Sequence, residues 1–224
     1  PTKLEGRNSD NSKITLKANQ TAVIFPGEVG EKIRIVEKTT GTVYENNWIV
    51  EKTESKTVTL AEKPEVISME NIYKWKDLDI TKTITHMTKA QIDALNTEGS
   101  DIYCPFSFQI FKVEGGTVSS TPETGLSWKL LATDGTEISG GIIGSDGIIK
   151  APCANRVIRV IGLEAETTYV VKEIDISNDF RAENNGEVTV LMPKRTATEG
   201  VEITNDYLVR SMKITNKKSD SSNR

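Results

Sequence analysis

The stretch Asp77-Leu78-Asp79-Ile80-Thr81-Lys82-Thr83-Ile84 decides the reading of this chain. Its strict alternation predicts a β-strand with Ile80, Lys82 and Ile84 on one face and polar residues on the other. A lysine therefore stands where an apolar residue is expected. Burying an ammonium without a partner is costly, so such a lysine is exposed, paired or used chemically.

Strand signals surround it. Before it, Ile14–Phe25, Lys32–Glu37, Asn47–Glu51, Lys56–Leu60 and Val66–Tyr73 alternate or are β-branched, broken by Pro26-Gly27, Gly41 and Lys63-Pro64. After it come Tyr103–Val113, Gly125–Leu131, Ile148–Lys150, Val157–Ile161, Tyr169–Ile176, Glu187–Leu191 and Val201–Tyr207. Asp134-Gly135 and Asp146-Gly147 are turn dipeptides, and Gly140-Gly141 reads as a turn because no phosphate-binding helix follows it. One helix is predicted near 88–96, where Thr88 and Gln91 have capping-box spacing and Ile92 and Leu95 share a face. The fold class is all-β: tandem immunoglobulin-like β-sandwich modules with that single short helix.

The two halves repeat. Ile33-Arg34-Ile35-Val36-Glu37 corresponds to Tyr169-Val170-Val171-Lys172-Glu173, and Asn71-Ile72-Tyr73 to Asn205-Asp206-Tyr207. The glutamate-to-asparagine separation is 34 residues in the first half and 32 in the second, so the register persists. Ile14–Lys17 matches Ile148–Lys150, which places Lys17 opposite Lys150 and not opposite Lys82. The expected organisation is a partial module over 1–75, a complete one over 76–208, and either a further module's opening strand or a tail over 209–224.

In the second module, parity turns Lys82, Glu173 and Asn205 into one core from three strands. A buried Lys–Glu ion pair with an asparagine as hydrogen-bond partner is the plain reading of those residues alone. The order and spacing of Ile80-Thr81-Lys82, Tyr169-Val170-Val171-Lys172-Glu173 and Asn205-Asp206-Tyr207 resemble the CnaB-type domains of Gram-positive surface proteins and pilins. The resemblance covers residues 77–207 fully and residues 13–73 for the latter half of a module. It implies a spontaneous isopeptide bond between Lys82 and Asn205 assisted by Glu173, with Glu37 and Asn71 as the remnant of a second such site.

That resemblance further implies an extracellular location on a cell wall or pilus, neighbouring modules or copies joined end to end, and a shaft role. The alternative is an adhesin module that presents loops to a host protein or glycan, with Tyr44, Trp48 and Trp75 as candidate surface, although core packing is the preferred reading of these three. An ordinary turnover enzyme finds no constellation here: the one candidate modifies itself once. Val190-Leu191-Met192-Pro193-Lys194 resembles a pilin motif whose lysine is joined to the next subunit, but Thr59–Pro64 fills the same place in the first half, which favours a strand-to-turn reading. A lysine for the first module is not evident; Lys3, Lys13 and Lys17 are the ones available, and Asn216 with Lys217 lies where a following module would carry its own.

Composition narrows the rest. The 224 residues are 36% hydrophobic and 27% charged with a formal charge of -4, so there is no basic field for nucleic acid. No apolar run reaches a membrane span. Cys104 and Cys153 are either a disulfide or two thiols, and with the lone His86 they are too few for a metal site, so neither metal nor cofactor is expected. His86 reads as a strand-end residue.

Overall fold

A computed structural model describes residues 2–4, 21–24, 28–37, 47–50, 55–63 and 66–208. The chain divides into two compact units, residues 1–72 and 73–224. The division falls before the expected 75/76 boundary because Trp75 already opens the lysine strand. Residues 209–224, together with Lys13, Lys17, Tyr44, Asn216 and Lys217, lie outside the described residues.

In the first unit, β1 (Thr2–Leu4) pairs in parallel with β2 (Ala22–Ile24), and β3 (Lys32–Val36) is followed by β4 (Trp48–Val50) and β5 (Ser55–Thr59). The strands β3 and β5 pair antiparallel with Ile33 opposite Val58, while β4 pairs with β6 (Asn71–Tyr73).

The second unit is a two-sheet sandwich. Its first strand, β7 (Trp75–Thr85), alternates half-buried and buried residues over its whole length, as the sequence predicts, with Leu78, Ile80, Lys82 and Ile84 inside. The helix α1 (Lys89–Leu95) follows, and the capping box between Thr88 and Gln91 is formed in both directions. Then come β8 (Phe106–Glu114), β9 (Thr117–Val118), β10 (Ser127–Leu131), β11 (Glu137–Ile142), β12 (Ile149–Ala151), β13 (Arg156–Glu164), β14 (Thr168–Ile174), β15 (Phe180–Ala182), β16 (Glu187–Leu191) and β17 (Thr198–Tyr207). One sheet has the order β11-β10-β13-β7-β17-β15 and the other β12-β8-β14-β16, with β9 paired to β8.

The strand order places the site. The strand β7 lies near the centre of its sheet, antiparallel to β13 and parallel to the last strand β17, with Lys82 opposite Ile203 and Ile84 opposite Asn205. In the facing sheet, β14 pairs with β8 so that Glu173 lies opposite Phe108, and with β16 so that Tyr169 lies opposite Val190. Between the sheets lie Leu78, Ile80, Leu130, Ile158, Val160 and Ile203 from one side and Phe108, Ile110, Ile149, Tyr169 and Val171 from the other, nearly all inaccessible to solvent.

Two expectations are corrected and one open alternative is resolved. Gly140-Gly141 is part of strand β11 and not a turn. A Cβ at Gly140 would meet the Trp128 carbonyl oxygen at 2.6 Å, so the glycines are there because β11 lies close against Trp128. The strand β13 does not stop at Ile161; a register shift at Gly162, whose φ is +97°, lets it continue to Glu164. Of the two readings left open for Cys104 and Cys153, the structure has the two free thiols, with Cys153 following β12 inside the core.

Candidate site: a buried lysine, glutamate and asparagine

Each member of the trio arrives on a separate strand. Lys82 points inward from β7 because Ile80 and Ile84 fix its parity, and its side chain is fully buried. Glu173 enters from the opposite sheet in phase with Tyr169 and Val171, its side chain 1% exposed. Asn205 follows Ile203 inward on β17 and is fully buried.

One carboxylate holds both partners. Glu173 Oε2 accepts a hydrogen bond from Lys82 Nζ at 2.7 Å, and Glu173 Oε1 accepts one from Asn205 Nδ2 at 2.7 Å. The Lys82 amine also lies 5.0 Å from the centre of the Phe106 ring, a cation–π contact that flanks it with apolar surface. Asn205 Oδ1 is buried with no hydrogen-bond partner. Such an atom is uncommon in a well-packed core and costs roughly 1–3 kcal/mol, so it marks a place where the fold tolerates loss for another end.

Burial holds the Lys82 amine below the ordinary lysine value, against the pull of the neighbouring Glu173 carboxylate. A lowered amine value favours the neutral, nucleophilic form. Glu173 is within hydrogen-bond reach of both the Lys82 amine and the Asn205 amide nitrogen, so one carboxylate can pass a proton between the two nitrogens.

The sequence reading identified all three members but not their supports. Phe106 flanks the amine, and Gly186, at φ +72°, lets the loop before β16 lie against Glu173: a Cβ there would approach Glu173 Cβ to 3.1 Å. Asn155 fixes the strand that carries the lysine, since its N–H donates to Lys82 O at 2.7 Å and its Oδ1 accepts from Ile84 N at 3.0 Å. Phe106 opens β8 in the facing sheet, while Asn155 and Gly186 come from connections between strands, and only Gly186, placed just before a strand, carries a local signal. His86 sits just beyond β7 with a positive φ of 62° and pairs with Asp206 on the exposed side of the sheet. Lys194 lies 3.5 Å from Glu166.

The other predicted pair also meets. Asn71 Nδ2 donates to Glu37 Oε1 at 2.5 Å, the same atoms in the same sense as Asn205 and Glu173. Among the described residues, Glu37 Oε2 and Asn71 Oδ1 are buried without hydrogen-bond partners. Cys153 lies in the same core as Lys82, and burial pushes its thiol up to about 12; burial raises the half-buried Cys104 thiol as well. Among the described residues there is no cluster suited to a metal ion, and no helix is long and apolar enough to cross a membrane.

No family model matches the sequence, and no curated protein matches it. Among solved structures the chain is similar to the major pilin of Streptococcus pyogenes, at 13% identity over 79% of this chain and 69% of that one with a TM-score of 0.39. It is similar to the T3.2 major pilin of the same organism, at 14% identity over 83% of this chain and 70% of that one with a TM-score of 0.37. It is also similar to a pilus-presented adhesin, at 20% identity over 62% of this chain with a TM-score of 0.36, and spans 30% of that adhesin's length.

Proposed function

We propose that residues 73–208 form a self-cross-linking structural module of the shaft or stalk of a Gram-positive surface adhesin or pilus, acting outside the cell. The observation that carries this reading is the sharing of the Glu173 carboxylate by Lys82 and Asn205. Lys82 as the neutral amine attacks Asn205 Cγ and gives one proton to Glu173 as the new C–N bond forms. The C–N bond to Nδ2 breaks, Glu173 returns the proton to the leaving nitrogen, and ammonia departs while Lys82 Nζ and Asn205 Cγ remain joined as an amide. The reaction occurs once per molecule, needs no cofactor or metal, and makes the protein its own substrate rather than a turnover enzyme.

The topology explains what such a bond would do. Among the described residues, β7 opens the two-sheet sandwich and β17 closes it, and the two lie side by side in parallel. A force entering at one and leaving at the other would cross the amide and bypass the strands from β8 to β16. Closing a loop of roughly 120 residues also removes unfolded-state entropy worth roughly 4–5 kcal/mol by analogy with disulfides. Modules of this kind suit end-to-end arrangement with neighbours or further copies. The rival reading, recognition of a host protein or glycan, calls for an exposed aromatic cluster, whereas the exposed aromatics among the described residues, Tyr73 and Tyr103, stand on separate elements.

Single-molecule extension through the chain's ends tests the shaft reading. The wild type should show no release of the segment enclosed by Lys82 and Asn205, and Glu173→Ala should release it at roughly 3.3–3.6 Å per residue. Full release from the wild type would overturn the proposal.

A further inference from the structure

We infer that Cys104 and Cys153 form a reversible modification site, a dithiol that a low-molecular-weight disulfide oxidises to a bond joining the entry of β8 to the exit of β12. Both are free thiols in this structure, and neither takes part in the chemistry proposed for Lys82. In the antiparallel ladder of the two strands, Ile149 pairs with Phe108, Lys150 with Ser107 and Ala151 with Phe106. Carried on by two residues, that register sets Pro152 against Pro105 and Cys153 against Cys104. The ladder stops at the prolines because neither has an N–H to donate. Parity turns both thiols toward the core, since Phe106, Phe108, Ile149 and Ala151, which share their faces, are all buried. Cys153 is fully buried, and Cys104 is half-buried against the same core.

Contacts outside the ladder hold the two segments at one place. Leu95 O accepts from Cys104 N–H at 3.1 Å. The next residue, Asn96, clasps Ala154, donating to its O at 2.9 Å and accepting from its N–H at 3.0 Å. The end of α1 therefore anchors Cys104 and the residue after Cys153 at adjacent positions. Directly opposite residues of an antiparallel pair have Cα atoms about 4.5–5.5 Å apart, inside the roughly 4.4–6.8 Å that a disulfide spans. Asn155, whose N–H holds Lys82 O, lies just beyond Ala154, so a bond at Cys153 would also tie down the connection that steadies β7.

The exchange balances in two steps. Cys104, as its thiolate, attacks one sulfur of the small disulfide, breaks its S–S bond and releases one thiol. Cys153 then loses its proton, attacks the Cys104 sulfur of the mixed disulfide and displaces the second thiol. The small disulfide is reduced to two thiols as the protein pair is oxidised, and the two cysteine protons end on the released thiols. Burial raises both protein thiols, which makes the exchange slow near neutral pH, and Cys104, the more open of the two, is where it starts.

The test equilibrates the chain of residues 1–224 with glutathione, oxidised in excess over reduced, and then blocks remaining thiols under denaturing conditions before intact-mass and digest analysis. The expected product is a monomer lighter by two hydrogens than the dithiothreitol-treated control, with neither cysteine blocked and one peptide pair linked through Cys104 and Cys153. Dithiothreitol should return both thiols. Cys153→Ser should stop at the first step and keep one glutathione on Cys104. A wild type with both cysteines still blocked after denaturation, or with glutathione held on Cys104 and no link to Cys153, would overturn the inference. The wild-type result decides alone if the variant does not fold. Loss of two hydrogens and loss of ammonia are separate mass changes, so failure here leaves the Lys82–Asn205 reading untouched.

Discussion

The two units hold the same glutamate–asparagine contact in two degrees of completion. In the second, the glutamate's other oxygen holds a lysine amine from the adjacent parallel strand; in the first, that oxygen has no hydrogen-bond partner among the described residues, and residues 66–70 join no strand. In both units the strand that leads to the glutamate pairs antiparallel with a later strand, β3 with β5 in one and β14 with β16 in the other. The difference teaches that the glutamate and asparagine are brought together by the sandwich itself. In the second unit the amine comes from a third strand, β7.

The largest expected effect comes from breaking the complete site. Glu173→Ala should leave Lys82 buried without its carboxylate and prevent the bond, costing about 3–5 kcal/mol for the orphaned charge in addition to the lost closure. Thermal or denaturant unfolding of the second unit should report it, whereas Glu37→Ala in the incomplete site should move the second unit's transition little. Equal losses from the two substitutions would contradict the contrast between the units.

Core packing gives the next effect. Phe108 is fully buried opposite Glu173, and Phe108→Ala should cost about 3–5 kcal/mol in denaturant unfolding without abolishing the bond. A loss of the bond at unchanged stability would shift the role of Phe108 from packing to chemistry. A smaller change is expected from Gly186→Ala, about 1–3 kcal/mol, because the added methyl meets Glu173 Cβ and a left-handed backbone at once. It should also slow bond formation, measured by the mass of freshly refolded protein over time.

The pH dependence follows from Lys82. In Asn205→Ala, which has no amide to attack, the amine remains titratable and is held below the ordinary lysine value of about 10.4. Between that lowered value and about 10.4 the unfolded chain binds more protons than the folded one, so stability should rise with pH through this window. The double variant Lys82→Met, Asn205→Ala should show a shallower rise; identical slopes would remove the buried amine from the account. The gentlest probe is alkylation at pH 8, where native Cys153, with its thiol near 12, should be inert and should react only after unfolding.

Much of this was legible in the sequence, for physical reasons that differ by element. The strand β7 reads correctly because one face is wholly buried and period-two alternation is then obligatory, and the same parity argument brings Glu173 and Asn205 to Lys82. The capping box is a local interaction and is equally plain. The strand β11 was hidden because it is an exposed edge whose glycines answer to Trp128, a contact made by tertiary structure. The short strand β15 has only Phe180 buried, too little for a pattern. The roles of Phe106, Asn155 and Gly186 around the trio depend on a facing strand and two connections converging in space, which no spacing along the chain encodes.

The central claim is that one carboxylate joins Lys82 to Asn205. Intact-mass measurement of the chain with fragmentation of its digest tests it most directly. The account predicts a protein lighter by one ammonia than its sequence, with a branched peptide linking residues 82 and 205, and the full sequence mass in Glu173→Ala. A wild type at full sequence mass, with Lys82 and Asn205 in separate linear peptides, would contradict it.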